Sequence, residues 1–180
     1  MPAYRNDELR LLARKPGFLD DPRDRRETRA IAGRDVTIAL LPEGLIKGRV
    51  TLSTGEPATG VIVQLFSRMV ADGLPRWMPA AAARVNSAGE FRFAELQPGS
   101  YRLATRELLD NDPLTTLPGG QRYGFPPVYF PGASDFSSAS SVEVAAGGTV
   151  QVDLSLIRQP YHEVKIPVVS NRDIPGGTYR

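Results

Sequence analysis

The chain has 180 residues, 41% of them hydrophobic and 23% charged, which fits an ordinary globular protein with room for one sizeable core. No cysteine is present, so a disulfide framework, a cysteine-based zinc site and a cysteine nucleophile are excluded. The formal net charge is only +2, and although the pI is near 9.1 so small a surplus gives no reason to expect a nucleic-acid partner.

In chain order, the opening MPAYRNDELRLLARKPGF lacks the continuous apolar run of a signal peptide. No stretch of the chain approaches the ~18 apolar residues of a membrane span. Two expectations stay open: a chain that remains in the cytoplasm, or a portion of a longer exported protein. DPRDRRETR, residues 21–29, is the densest basic run, but each Arg has an Asp or Glu close by, so it reads as a solvated loop.

A period of two then dominates. In LIKGRVTL, Ile46, Val50 and Leu52 alternate with Lys47, Arg49 and Thr51. Val61, Val63 and Leu65 form one face of VIVQLF, while Ile62 and Phe66 indicate that its other face is not fully exposed. The segment ADGLPRWMPAA, residues 71–81, holds the only Trp and reads as an irregular excursion. ARVNSAGEFRFAELQPGSYRLAT, residues 83–105, reads as two strands with turns at Asn86–Gly89 and Pro98-Gly99, placing Phe91 and Phe93 on one face and turning Tyr101 and Leu103 into the same core. RELLDNDPLTTLPGGQRYGFPP, residues 106–127, has no clean period and exceeds ordinary loop lengths, which makes it the first place to look for a site. SVEVA, VQVDLSL and PYHEVKIPV supply the remaining strand signals, the last with Val164, Ile166 and Val168 alternating. Short strands separated by Gly, Asn and Pro turns predict an all-β chain: an antiparallel Greek-key β-sandwich of about seven strands with one long irregular loop.

Few residues carry chemistry. His162 is the sole histidine and reads as a surface residue; the serines of DFSSASS form neither a Gly-x-Ser-x-Gly elbow nor a Ser-x-x-Lys pair. Asp110-Asn111-Asp112 begins like a calcium loop, but the sixth position is Thr115 and no Glu closes it, so a turn before Pro113 is the plainer reading. No cofactor and no catalytic or metal-binding set are expected. What remains is a group of aromatics on or beside the irregular segments. Trp77, Tyr123, Phe125 and Tyr129 are the candidate contacts for a ligand or partner, since loop aromatics on a sandwich can stack on sugars or anchor a protein. Packing of these rings over the sandwich is the alternative.

The succession of a strand with Gly-x-Val, the turn Gly55-Glu56-Pro57-Ala58, VIVQLF and then Asn86, Gly89, Phe91, Phe93, Leu96, Pro98, Gly99, Tyr101 and Leu103 resembles the carboxypeptidase regulatory-like domain, a transthyretin-like, carbohydrate-binding-like sandwich. YGFPPVYFPGASDFSSASSVEVAAGGTVQVDLSL is similar to an insertion in large exported bacterial proteins that carry such domains in tandem. QPGSYRLA recurs faintly as IPGGTYR near the end and as YRNDELRLLARKPGF near the start, which fits a repeat array. The expected division is therefore 1–43 as the last strands of a preceding repeat or an extension, 44–158 as the sandwich, and 159–180 as a following repeat or final strand. The resemblance implies a non-catalytic structural or interaction module, extracellular or in the cell envelope, whose partners are neighbouring domains and a glycan or protein. A carbohydrate-binding module is the runner-up, and an accessory domain of a peptidase a distant third.

Overall fold

The computed structural model describes residues 8–20, 28–31, 35–110 and 121–162. No helix occurs among them. Much of the basic run, Asn111 and Asp112, the alternation at Val164–Val168 and the echo at 174–180 lie outside the described residues.

The strands are β1 (Glu8–Leu11), β2 (Phe18–Asp20), β3 (Thr28–Ile31), β4 (Leu40–Pro42), β5 (Gly44–Leu52), β6 (Ile62–Ala71), β7 (Leu74–Arg84) and β8 (Glu90–Leu96). They continue as β9 (Gly99–Thr105), β10 (Leu108–Leu109), β11 (Arg122–Phe125), β12 (Val142–Val144), β13 (Thr149–Gln151), β14 (Leu154–Leu156) and β15 (Gln159–Tyr161). Two sheets make the sandwich. One has the order β12-β9-β6-β7; in the other β5 lies between β8 and the pair β13, β14. Smaller sheets pair β1 with β3, β2 with β4, and β11 with β10 on one side and β15 on the other.

Alternation places the core. Val63 and Leu65 of β6, Tyr101 and Leu103 of β9, and Val142 and Val144 of β12 are buried with Ile46 and Val50 of β5, Phe91 and Phe93 of β8, and Leu154 and Leu156 of β14. Each such side chain removed from water contributes about 1.5–3 kcal/mol. Phe91 and Phe93 do share a face, with ring centroids 5.8 Å apart, edge to face. Asn86 forms the turn before them: its Oδ1 accepts from Ala88 N at 2.9 Å and Glu90 N at 2.8 Å. Beyond Pro98-Gly99, the Tyr101 hydroxyl donates to the Gln97 carbonyl at 2.7 Å, which satisfies its polar tip while the ring stays buried.

Three features depart from the expected pattern. Residues 71–81 are not an irregular excursion but part of a ten-and-eleven-residue hairpin of β6 and β7. Its two-residue turn is Asp72-Gly73, with φ of 53° and 74°, the left-handed pair of a type I′ turn. Pro75 and Pro79 fit because β7 is an edge strand, whose outward positions need no N–H donor. Second, β13 and β14 run parallel to β5, so the sandwich is not wholly antiparallel. At the β13–β14 junction Val152 donates to the Lys47 carbonyl at 2.9 Å, and its own carbonyl passes where a Cβ on Gly48 would stand. Third, the described ends of the 106–127 segment are strands β10 and β11, not loop.

Candidate functional site

Phe66, Arg102 and Trp77 project from the outer face of the β12-β9-β6-β7 sheet, where register pairs Phe66 with Arg102 and Arg68 with Trp77. The segment after β11 folds back over this face. It is held by Thr105 N donating to the Val128 carbonyl and Val128 N donating to Thr105 Oγ1, both at 2.9 Å, and by Phe130 N donating to the Leu103 carbonyl at 3.0 Å. Phe136 then packs edge to face on three rings: Phe66 at 5.1 Å, Tyr129 at 5.9 Å and Trp77 at 6.3 Å between centroids. The Arg102 guanidinium lies 4.7 Å from the Trp77 ring centre and 5.1 Å from that of Phe136, and its Nη1 donates to the Phe136 carbonyl at 2.7 Å. Asp135 closes the turn by accepting from Ser137 and Ser138, bonds that hold its carboxyl below the usual range.

The four candidate aromatics therefore fall into three settings. Trp77 and Tyr129 are half-buried in the cluster around Phe136. Tyr123, on β11, carries the Arg158 guanidinium 4.1 Å over its ring, and Arg158 also bonds Asp110 at 2.7 Å. Phe125 packs partly buried against the main core. Trp77 and Tyr123 stand on different sheets. Near Tyr123, Tyr161 of β15 has its hydroxyl pKa pushed up to about 12 by desolvation first and then by the Glu107 carboxylate. His162 is exposed.

A second region carries charge, on the polar side of strands whose apolar side is core. A cleft of about 860 Å³ lies on the outer face of the β5 sheet, against the end of β7. Lys47, Arg49, Arg84 and Arg92 line it, with Glu90 and Asp153 the carboxylates. Register places Lys47 directly across from Arg92, and Arg49 across from Glu90. Arg49 Nη2 meets Glu90 Oε1 at 3.0 Å, and this bond leads the causes, followed by Asn86, that hold the Glu90 carboxyl below its ordinary value. Asp153 Oδ1 accepts from Arg49 N at 2.9 Å and from Gln151 Nε2 at 2.8 Å. Among the described residues no group of three or more His, Cys, Asp or Glu is placed to hold a metal ion. The signal that unites the cleft is strand register, which alternation within a single strand does not reveal.

No protein-family model and no curated protein matches the chain in sequence. Among solved structures, it is similar to the minor pilin of Streptococcus agalactiae at 16% identity and a TM-score of 0.36, covering 77% of this chain and 56% of the pilin. It is similar to a candidate carbohydrate-binding protein from Pseudomonas aeruginosa at 18% identity and a TM-score of 0.36, covering 64% of this chain and 89% of that one. A DUF3823 family protein from Bacteroides uniformis aligns at 19% identity and a TM-score of 0.38, over 72% of this chain and 50% of that one. The chain thus spans about half the length of the pilin and of the DUF3823 protein. Likenesses this distant transfer no property of those proteins to this chain. No helix among the described residues is long and apolar enough to cross a membrane.

Proposed function

We propose that this chain is a non-catalytic β-sandwich module of the carboxypeptidase regulatory-like kind, which spaces and joins neighbouring parts of a larger exported bacterial protein. The observation that supports this reading is where the conspicuous residues go. Phe91, Phe93, Tyr101 and Leu103 are core, and the Tyr129–Phe136 segment is bound back onto the sheet as a cover locked by Arg102. A module built this way resists extension because β5, the strand that enters the sandwich, is hydrogen-bonded on both edges.

The reading is tested by pulling a polyprotein in which this chain alternates with reference domains. The expected result is a discrete unfolding event with a contour-length gain of about 400 Å, the extended length of the 44–158 segment. A chain that extends without a cooperative event sinks the spacer role. A carbohydrate-binding module is the second reading, supported by Trp77 keeping part of its surface exposed. Reproducible glycan-array binding that disappears in a folded Trp77→Ala, Tyr123→Ala variant would select it over the spacer.

A further inference from the structure

We infer that the cleft on the outer face of the β5 sheet is a binding site for an acidic polysaccharide, held by Lys47, Arg84 and Arg92. This site is separate from the Trp77 cluster and goes beyond the spacer reading.

Charge within the cleft is unbalanced. Four cations face two carboxylates, a surplus of +2 that equals the formal net charge of the whole chain. Arg49 is neutralised in place by Glu90. The side chains of Lys47, Arg84 and Arg92 have no ion pair or hydrogen bond among the described residues. Like charges directly opposite across two strands are destabilising, yet Lys47 and Arg92 occupy such a pair. Breaches of local pairing rules are expected at functional sites. An anion between the two side chains would turn their repulsion into two charge-assisted contacts.

The surroundings narrow the class of anion. Asn86 and Gln151 amides and the Glu90 and Asp153 carboxylates border the cations, offering donors and acceptors for hydroxyl groups. The cleft's one aromatic, Phe91, is 4% exposed, and its remaining apolar lining is Gly48 and Ala83. A folded protein partner would need a buried aromatic or aliphatic anchor, and single-stranded nucleic acid would need an exposed ring for base stacking. A polymer bearing one carboxylate per sugar needs neither.

The test measures binding of the full chain to immobilised polygalacturonate, at about 50 and about 200 mM salt. Binding should weaken with salt, and the methyl-esterified neutral polymer should not bind. Lys47→Gln with Arg92→Gln should weaken binding about tenfold, from two exposed charge contacts each worth a factor of about three. Both side chains are exposed, so the thermal midpoint should hold. Arg68→Gln with Arg122→Gln, an equal charge change on exposed residues outside the cleft, should bind as the parent does. The inference is overturned by no binding from folded chain, by equal loss in the two double variants, or by equal binding to the neutral ester. Tighter binding of polyglutamate or single-stranded DNA with the same dependence on Lys47 and Arg92 would overturn the polysaccharide assignment.

Discussion

Removing the Arg102 guanidinium by Arg102→Met should loosen the cover without dissolving the sandwich. The charge-assisted bond from Nη1 to the Phe136 carbonyl is worth about 1.5–3 kcal/mol, and the two ring contacts about 0.5–1 kcal/mol each. Against this, Arg102 Nε is buried without a hydrogen-bond partner, a penalty of about 1–3 kcal/mol that methionine removes. The net cost is about 2 kcal/mol, equivalent to a melting point lower by about 4–8 °C in a chain of this size. Trp77, the only tryptophan, sits against the guanidinium and makes fluorescence-detected urea unfolding a direct report on the cover. Arg68, across from Trp77 in register but exposed, is the control, and Arg68→Met should cost less than about 0.5 kcal/mol. Equal unfolding midpoints and unchanged Trp77 emission in the two variants would refute the locking role of Arg102.

Three further outcomes are expected. Gly48→Ala drives a Cβ into the Val152 carbonyl and should cost about 3 kcal/mol, the upper end of the usual overpacking range, seen as lost chemical-shift dispersion or a lowered melting point; a melting point within error of the parent would show that the β13–β14 junction can shift. Thr105→Val removes the acceptor for Val128 N at a 2%-exposed position and should cost about 1–3 kcal/mol, with amide exchange at Val128 accelerated more than that of the core strands. The Glu90 carboxyl is held below its ordinary 4.5, so the stability that it contributes is present above pH 4.5 and is lost as pH falls through the lower folded value. The melting-point gap between the parent and Glu90→Gln should therefore close on acidification below pH 4.5, and a gap constant down that range would place the pairing with Arg49 in doubt.

Single residues show where sequence reading succeeds and stops. The inward faces of β5, β6, β8, β9 and β14 were legible because burial on one side of a strand imposes a period of two. Phe66 marked a partly covered outer face, but the ring that covers it, Phe136, lies 70 positions away and only the folded chain brings them together. The β6–β7 hairpin was missed because Pro75, Pro79 and the alanine run of β7 break alternation, which an edge strand tolerates. Tyr123 and Trp77 looked alike as loop aromatics, and the structure gives each a different guanidinium, Arg158 and Arg102.

By itself, then, the chain's local pattern determined an all-β sandwich, most of its core and turns such as Asn86–Gly89 and Pro98-Gly99, since these depend on period and on residues with special backbone needs. Tertiary structure decided the parallel partner of β5, the use of the Tyr129–Phe136 segment as a cover, and the meeting of Lys47 with Arg92. Each of these is a relation between segments distant in sequence. Register, which no strand encodes alone, sets the first and the last.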